Sequence, residues 1–416
     1  MLDKKLGGVK IAKSKASIDL SNPKKCSNIL LGERLKKGYS AQNIFDGIIE
    51  DKIARAYSLF GGTFIQTQTG DFIEFYKGNI HTYYNFLDKA YAIETNLNGQ
   101  RKAFVFAKNQ GVLLNLAEQS FQPVFLPSDC HDGVFFDKRL YLRSNDGIVF
   151  SKREDLTNFT PYNDAGGFIN PSNDGKILSL QVLGNTLYLF FERGIYQLKK
   201  AVRVTDIQLE RLNIKHLAIK ENSVATLNDK IYFIQDDYLH SFDGEKIEKI
   251  SSHLQNNKCL EITSCGVVDD NIFYQGIFEN SQHNCTLIIN PNSNDCYAIE
   301  NLPELSKTDG LVADKTHEKL CVLSLNDSDA DYYFLSHPQN LGKSGIKNIT
   351  CIRLETKYPA RLNVTGKFGS IVFYFDCGYS VKKCNITSDY FNFEITSSAP
   401  DVNVGNLTVD YYLKGE

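Results

Sequence analysis

The sequence predicts an all-β protein, a six- or seven-bladed β-propeller with an extended N-terminal arm before it and a C-terminal β-sandwich after it. Three observations predict this. Short apolar strands alternate with polar turns through most of the 416 residues, one strand-turn-strand pattern recurs at a spacing in the forties, and that recurrence ends near Pro338. Composition agrees, since 27 Phe and 22 Tyr without a single Trp suit pleated, half-buried surfaces. With 42% hydrophobic and 23% charged residues the chain has enough apolar surface for a large core.

Residues 1–57 are expected to form a basic arm and linker. Lys4, Lys5, Lys10, Lys13, Lys15, Lys24, Lys25, Arg34, Lys36 and Lys37 face three acids, Asp3, Asp19 and Glu33. A solvated tail explains this pattern, and so does an arm lying on an acidic partner or on DNA phosphates. The stretch AQNIFDGIIEDKIARAYSLF (41–60) fits a helix or a strand equally well.

Residues 58–340 carry the repeat. DKRLYLRSNDGIVF (137–150), GNTLYLFFERGIYQL (184–198), NDKIYFIQDDYLHSF (228–242) and DDNIFYQGIFE (269–279) each place a branched aliphatic before an aromatic, then a polar break. HEKLCVLSLNDSDADYYFL (317–335) is a weaker copy, and GDFIEFYKGNIHTYY (70–84) and RKAFVFAKNQGVLLNL (101–116) share the rhythm alone. The anchors Tyr141, Tyr188, Tyr232, Phe273 and Cys321 lie 41 to 48 residues apart. A small twisted sheet cannot bury both faces alone, and stacking such sheets around an axis buries both. Asp-Gly pairs at 132, 146, 174, 243 and 309, with Asn98-Gly99, are expected to be type I′ hairpin turns.

Residues 341–416 break the period. ITCIRLETKY, RLNVTGKF, SIVFYFDCGY, YFNFEITSS and NLTVDYYLKG read as the longer alternating strands of a separate antiparallel sandwich.

Signs of chemistry are few. Nucleophile-elbow, zinc-protease, Walker and dinucleotide motifs do not occur. The eight histidines are scattered, and no Cys-x-x-Cys pair occurs among ten cysteines, which are expected to be free thiols. Asp236, Asp237, Asp269 and Asp270 are the candidates for a paired-carboxylate glycosidase site, but turns place Asp at such positions too. Asp327, Asp329 and Asp331 alternate as calcium ligands can, without the glycine and glutamate of an EF-hand loop. The expectation is no enzyme, no cofactor and no metal. The formal charge of −3 does not mark the whole chain as a nucleic-acid binder. No run reaches the ~18 apolar residues of a membrane-crossing helix, and the first residues lack the apolar core of a signal peptide.

Phe191-Glu192-Arg193-Gly194-Ile195-Tyr196-Gln197-Leu198, then Ile231 to Ile234, Tyr238-Leu239, Phe242-Asp243-Gly244 and Lys249-Ile250-Ser251, follow the blade order of one known group. In these units the chain resembles the β-propeller proteins of tailed-bacteriophage tails, the packaged-DNA stabilisation and tail-nozzle proteins of podophages. The terminal NLTVDYYLKG is similar to that family's last β domain. The likeness runs from about Ser58 to the C-terminus through loose patterns, and it departs in the missing Trp, in Asp237-Tyr238 where Asp-Gly is usual, and in the many cysteines. It implies a virion subunit, assembled in the host cytoplasm, in a ring (a hexamer) below portal and adaptor. Its partners would be those proteins, a tail fibre or needle, and passing genomic DNA, with no membrane insertion of its own. No catalytic residues come with it. A receptor- or glycan-binding propeller of the tail tip is the alternative, and a propeller glycosidase a more distant one.

Overall fold

The structure, a computed structural model, describes the chain apart from residues 1–13, 18–22, 28, 32–33, 38–39, 46–52, 77–78, 163–165, 170–173, 215–216, 251–258, 269, 279–284, 293–295, 301–304, 307–310, 315–318, 325–331, 337, 398–402 and 414–416. Among the described residues there is no α-helix, only a 3₁₀ turn at Val204–Asp206, and all strand pairings given by register are antiparallel. Contacts divide the chain into two compact units, residues 41–279 with 301–323, and residues 1–40 with 280–300 and 324–416. The expected boundaries at 57/58 and 340/341 follow the chain, whereas this grouping follows contacts and draws the smaller unit from three stretches of the chain.

The larger unit is a succession of small sheets. The first runs Ile53–Leu59, Gly62–Thr67, Asp71–Tyr76, Asn79–Asn85, each strand beside its chain neighbour. A six-stranded sheet follows, Tyr91–Leu97, Gln100–Asn115, Ser120–Phe136, Arg139–Ser144, Ile148–Phe150, Gly167–Ile169. Its third strand pairs with Gln100–Asn115 mainly through residues 120–125 and with Arg139–Ser144 mainly through residues 132–136, and register shifts interrupt both ladders. Such bulges bend a strand. The two halves consequently share one core, in which Phe104 and Phe106 meet Leu140, Leu142, Val149 and Phe159.

Two four-stranded meanders come next, Ile177–Leu183, Thr186–Phe191, Ile195–Lys199, Glu210–Arg211, and then Ala225–Leu227, Lys230–Gln235, Tyr238–Phe242, Ile247–Lys249. The hairpin Cys259–Val268 with Asn271–Phe278 follows, and last Leu311–Asp314 with Lys319–Ser324. Both faces of Thr186–Phe191 are buried, which explains its unbroken apolar run TLYLFF. Leu187, Leu189 and Phe191 pack with Tyr141 and Phe150 of the preceding sheet, and Tyr188 and Phe190 pack with Ile231, Phe233 and Phe242 of the following one. Each such side chain contributes roughly 1.5–3 kcal/mol on burial. The repeat anchors Tyr188, Tyr232 and Phe273 occupy the second strand of their sheets and Tyr141 the fourth strand of the six-stranded one, and all four are at most 6% exposed. Cys321 lies in the equivalent strand, its side chain outside the described set.

In the smaller unit, Lys347–Thr356, Gly378–Ser388 and Asn403–Leu413 form one sheet. Tyr332–Ser336, Phe391–Ser397, Ala360–Gly366 and Gly369–Phe375 form the other. Ile349, Ile352, Leu354 and Val409 of the first share a core with Leu362, Val364, Phe393 and Ile395 of the second. In Asn403–Leu413 the inward positions switch from Val404 to Leu407, Val409 and Tyr411, across Asn406 at φ 51°. Asn tolerates this left-handed conformation better than most side chains.

The arm differs most from expectation. Ser14–Ser17 pairs with Asn403–Leu413, Pro23–Ser27 with Tyr332–Ser336, Ile29–Leu31 with Arg34–Lys37, and Arg34–Lys37 with Asn403–Leu413. Ser40–Phe45 joins Lys319–Ser324, and Ile53–Leu59 opens the first sheet, so the described residues of 41–60 are mostly strand. Lysine-rich stretches join sheets because the ladder uses backbone groups, whatever the side chains.

The turns are corrected as well. Asp132-Gly133 lies inside a strand. Among the described residues, the pairs with positive φ at both central residues are Phe60-Gly61, Asn98-Gly99, Asp137-Lys138, Asn228-Asp229, Asp236-Asp237 and Leu341-Gly342. Among the other expected pairs, only the glycine is left-handed at 146, 174 and 243, and Asp309-Gly310 lies outside the described residues. Asp and Asn reach this region at modest cost, so the tight turns need few glycines.

Candidate functional site

The first strands of the successive sheets in the larger unit converge on one cavity of about 390 Å³. Its walls come from Ile53–Leu59, Tyr91–Leu97, the second half of Ser120–Phe136, Ile177–Leu183, residues 222–224, Cys259–Val268 and residues 305–306. Strand alternation explains the mixed lining, because an inner strand directs some of its side chains inward and the rest to the neighbouring cores.

Much of the polar lining hydrogen-bonds one sheet to the next. The Tyr57 hydroxyl donates to the Ala90 carbonyl at 2.9 Å, and Gln66, only 3% exposed, grips the same link through Phe86, Asp88 and Ala90. Arg143 Nη1 donates to the Ile177 carbonyl at 2.9 Å. Thr226 Oγ1 donates to Gln181 Oε1 at 2.7 Å, and Asn222 Nδ2 to the Ile262 carbonyl at 3.1 Å. Gln275 Oε1 accepts from Ser264 Oγ and from the Leu305 N–H, both at 2.8 Å. Buried amides satisfied on both sides of a seam hold it at one distance.

The charged lining is Arg55, Lys89, Arg143, Glu94 and Asp132, beside His131. Glu94 Oε1 accepts the Phe60 N–H, and His131 Nε2 pairs with Asn145 Oδ1 at 2.9 Å. Arg143 Nε is buried and has no hydrogen-bond partner among the described residues. Apart from Asp132, read from the sequence as part of a turn, none of these charged residues was singled out from the sequence. Arg55, Lys89 and Arg143 read in the sequence like any surface charge.

The candidates taken from the sequence lie elsewhere. Asp236 and Asp237 form a tight turn, and Asp237 Oδ1 accepts Lys220 Nζ at 3.0 Å. His240 stacks on Phe233 at 5.7 Å, and desolvation lowers its pKa, partly offset by the hydrogen bond to the Tyr238 carbonyl. Asp269 and the run Asp327, Asp329, Asp331 lie outside the described residues. Among the described residues no three His, Cys, Asp or Glu side chains are placed to hold a metal ion. Lys4, Lys5, Lys10 and Lys13 of the arm lie outside the described residues. Lys15, Lys24, Lys25, Arg34, Lys36 and Lys37 fall in paired strands.

The Phe191–Leu198 motif is a joint. The Phe191 N–H donates to the Gly194 carbonyl at 2.8 Å, which closes the turn, and the Ile219 N–H donates to the Glu192 carbonyl at 3.1 Å. Asp174 accepts Tyr196 Oη and Arg211 Nε, and the Arg211 bond holds its carboxyl below the usual range against some desolvation. A Cβ at position 194 would sit 2.3 Å from Asp174 Oδ2, so glycine there lets the carboxylate approach.

No protein-family model matches the chain, and no curated protein does. Among solved structures it is similar to PorZ, a bacterial surface component of the type-IX secretion system of Porphyromonas gingivalis, at 10% identity and a TM-score of 0.42. That match covers 89% of this chain and 46% of PorZ, so the chain spans about half that protein's length. BamB from Moraxella catarrhalis matches at 12% identity and a TM-score of 0.40, over 80% of this chain and 99% of BamB. The Pan2 WD40 domain of Neurospora crassa matches at 10% identity and a TM-score of 0.41, over 73% of this chain and 97% of that domain. The reading below rests on the sheets and the sequence motifs.

Proposed function

We propose that this chain is a structural subunit of a bacteriophage tail, a seven-bladed propeller that forms a ring below the portal and adaptor and helps retain and conduct packaged DNA. A count of seven is supported by three four-stranded sheets, the hairpins Cys259–Val268 with Asn271–Phe278 and Leu311–Asp314 with Lys319–Ser324, and the two halves of the bent six-stranded sheet. Closure is supported at both ends of the series, since Ser40–Phe45 adds to Lys319–Ser324 and Leu311–Asp314 lies beside Ile53–Leu59. A late sheet completed by an early strand ties the ends of the series together and leaves one fewer exposed edge.

The observation that carries the structural reading is the use of the central polar groups. Tyr57, Gln181, Thr226, Asn222 and Gln275 bond sheet to sheet, as a rigid scaffold requires. The tail assignment rests on the Phe191–Leu198 and Tyr238–Ser251 sequence motifs; in the first the Glu192 carbonyl accepts the Ile219 N–H, and in the second the Gly244 carbonyl accepts Tyr188 Oη of the preceding sheet at 3.4 Å. The charge of −3 suits a wall past which DNA slides.

The test is co-expression with the portal and adaptor proteins of the same genome, followed by sedimentation and negative-stain microscopy. The expected result is a ring of about six copies on the portal–adaptor complex. A chain that stays monomeric and never co-sediments with that complex overturns the reading.

A further inference from the structure

We infer that the smaller unit carries a self-association edge, at which Gly369–Phe375 pairs antiparallel, about a two-fold axis, with Gly369–Phe375 of a second copy of this chain. Gly369–Phe375 ends its sheet. It pairs with Ala360–Gly366 on one side and, among the described residues, with no strand on the other. The hairpin closes at Gly366 and Gly369, a pair that exchanges both backbone bonds across its two-residue turn, and the ladder then alternates without a shift. Ile371, Phe373 and Phe375 therefore bond inward, while Ser370, Val372 and Tyr374 turn their N–H and C=O groups to the open side. Such a row is a template for another strand.

Proteins usually blunt an edge of this kind with proline or charge. Pro23–Ser27, at the opposite end of the same sheet, begins with proline and contains Lys24 and Lys25. Gly369–Phe375, GSIVFYF, has neither, and its Val372 and Tyr374 are exposed. After only Asp376 and Cys377 the chain enters Gly378–Ser388, which ends the other sheet and exposes Tyr379 and Val381. Apolar surface thus continues from one edge strand to the next, as it does at association sites.

The occupant is a second copy because the segment is complementary to itself. Lys367 precedes the uncharged run and Asp376 follows it. Antiparallel pairing brings the Lys367 end of each copy to the Asp376 end of the other, whereas parallel pairing would set like charges side by side. An axis at Val372 places Val372 against Val372 and Ser370 against Tyr374, so all three outward-bonding residues find partners in one register. The inference is independent of the tail proposal, because a ring closes through head-to-tail contacts and a two-fold pair needs neither portal nor adaptor.

Sedimentation velocity of the full chain from about 1 to about 200 µM tests it. A monomer–dimer equilibrium is expected, with a dissociation constant of about 50 µM or tighter. Val372→Asp and Val372→Lys each set like charges against one another across the axis, and each alone should weaken association at least about tenfold. An equimolar mixture of the two variants should restore it to within about threefold of the unmodified chain, which misfolded variants could not do. A chain monomeric throughout this range overturns the inference and leaves the edge to a strand of a different protein. Association unchanged in both variants overturns it too, and so does a weakening that the mixture fails to rescue.

Discussion

Two tyrosines in the larger unit should respond in opposite directions to the loss of the same oxygen atom. Tyr141 is fully buried, its ring 6.2 Å from Phe136 and 5.8 Å from Phe150, and its hydroxyl has no hydrogen-bond partner among the described residues. Tyr83 is 3% exposed, and its hydroxyl donates to Glu74 Oε2 at 2.6 Å. Burying a hydroxyl without compensation costs about 1–3 kcal/mol in proteins. Tyr141→Phe keeps the ring contacts and removes that penalty, so it should stabilise the unit by about 1–2 kcal/mol. Tyr83→Phe removes a partner from a buried carboxyl and should destabilise by about 1.5–3 kcal/mol. Desolvation first, then Glu74, pushes the Tyr83 phenol well above its ordinary pKa, so the hydroxyl remains a donor at neutral pH.

Urea unfolding at neutral pH, followed by tyrosine fluorescence, reads both effects. The midpoints should move to opposite sides of the unmodified chain with unchanged slopes, for a total separation of about 2.5–5 kcal/mol, or roughly two to four decades in the folding equilibrium. Comparable destabilisation by both variants would refute the assignment of Tyr141 as an unsatisfied group and place a partner at its hydroxyl.

Two further outcomes follow from backbone and thiol environments. Gly276→Ala should destabilise by more than about 2 kcal/mol in the same urea assay, because a Cβ there would lie 1.9 Å from the Glu261 carbonyl oxygen, and backbone cannot yield cheaply. Iodoacetamide at pH 8, read by peptide mass spectrometry, should label exposed Cys377 well before Cys130 and Cys259, whose thiols burial pushes up to about 12 and about 11; equal labelling rates would contradict this.

The repeat was legible because it is written in aromatic residues. Tyr141, Tyr188, Tyr232 and Phe273 announce an inner strand of each sheet, since a strand buried on both faces must be apolar throughout. The turns were only half legible. Asp-Gly is the familiar signal, yet Asp137-Lys138, Asn228-Asp229 and Asp236-Asp237 make the double left-handed turns, while Asp132-Gly133 is extended strand. The arm misled for a different reason. Charge predicts solvent contact by side chains, and strand pairing is a property of the backbone, so Arg34–Lys37 could be basic and still join Asn403–Leu413. The cavity was illegible because Arg55, Arg143 and Asn222 are far apart in the chain, and only the stacking of sheets brings their strands to one place.

Burial on both faces also limits where a partner can act on the larger unit. Phe190 and Phe191 point to opposite cores, and so do Leu142 and Tyr141, which leaves no free sheet face at these strands. Recognition must then use the cavity, the outer strands or the turns. The exposed apolar side chains of this unit fit that constraint. Leu87 at 89%, Tyr162 at 76% and Val202 at 69% lie in connections, and Phe125 at 77% lies on the outward half of its long strand. Substitutions there should leave stability within about 0.5 kcal/mol, as is usual for surface positions away from packing. A substitution such as Phe125→Ser therefore separates assembly from folding: loss of the portal–adaptor complex at unchanged urea midpoint would locate a contact, whereas a fall in midpoint would return Phe125 to the core.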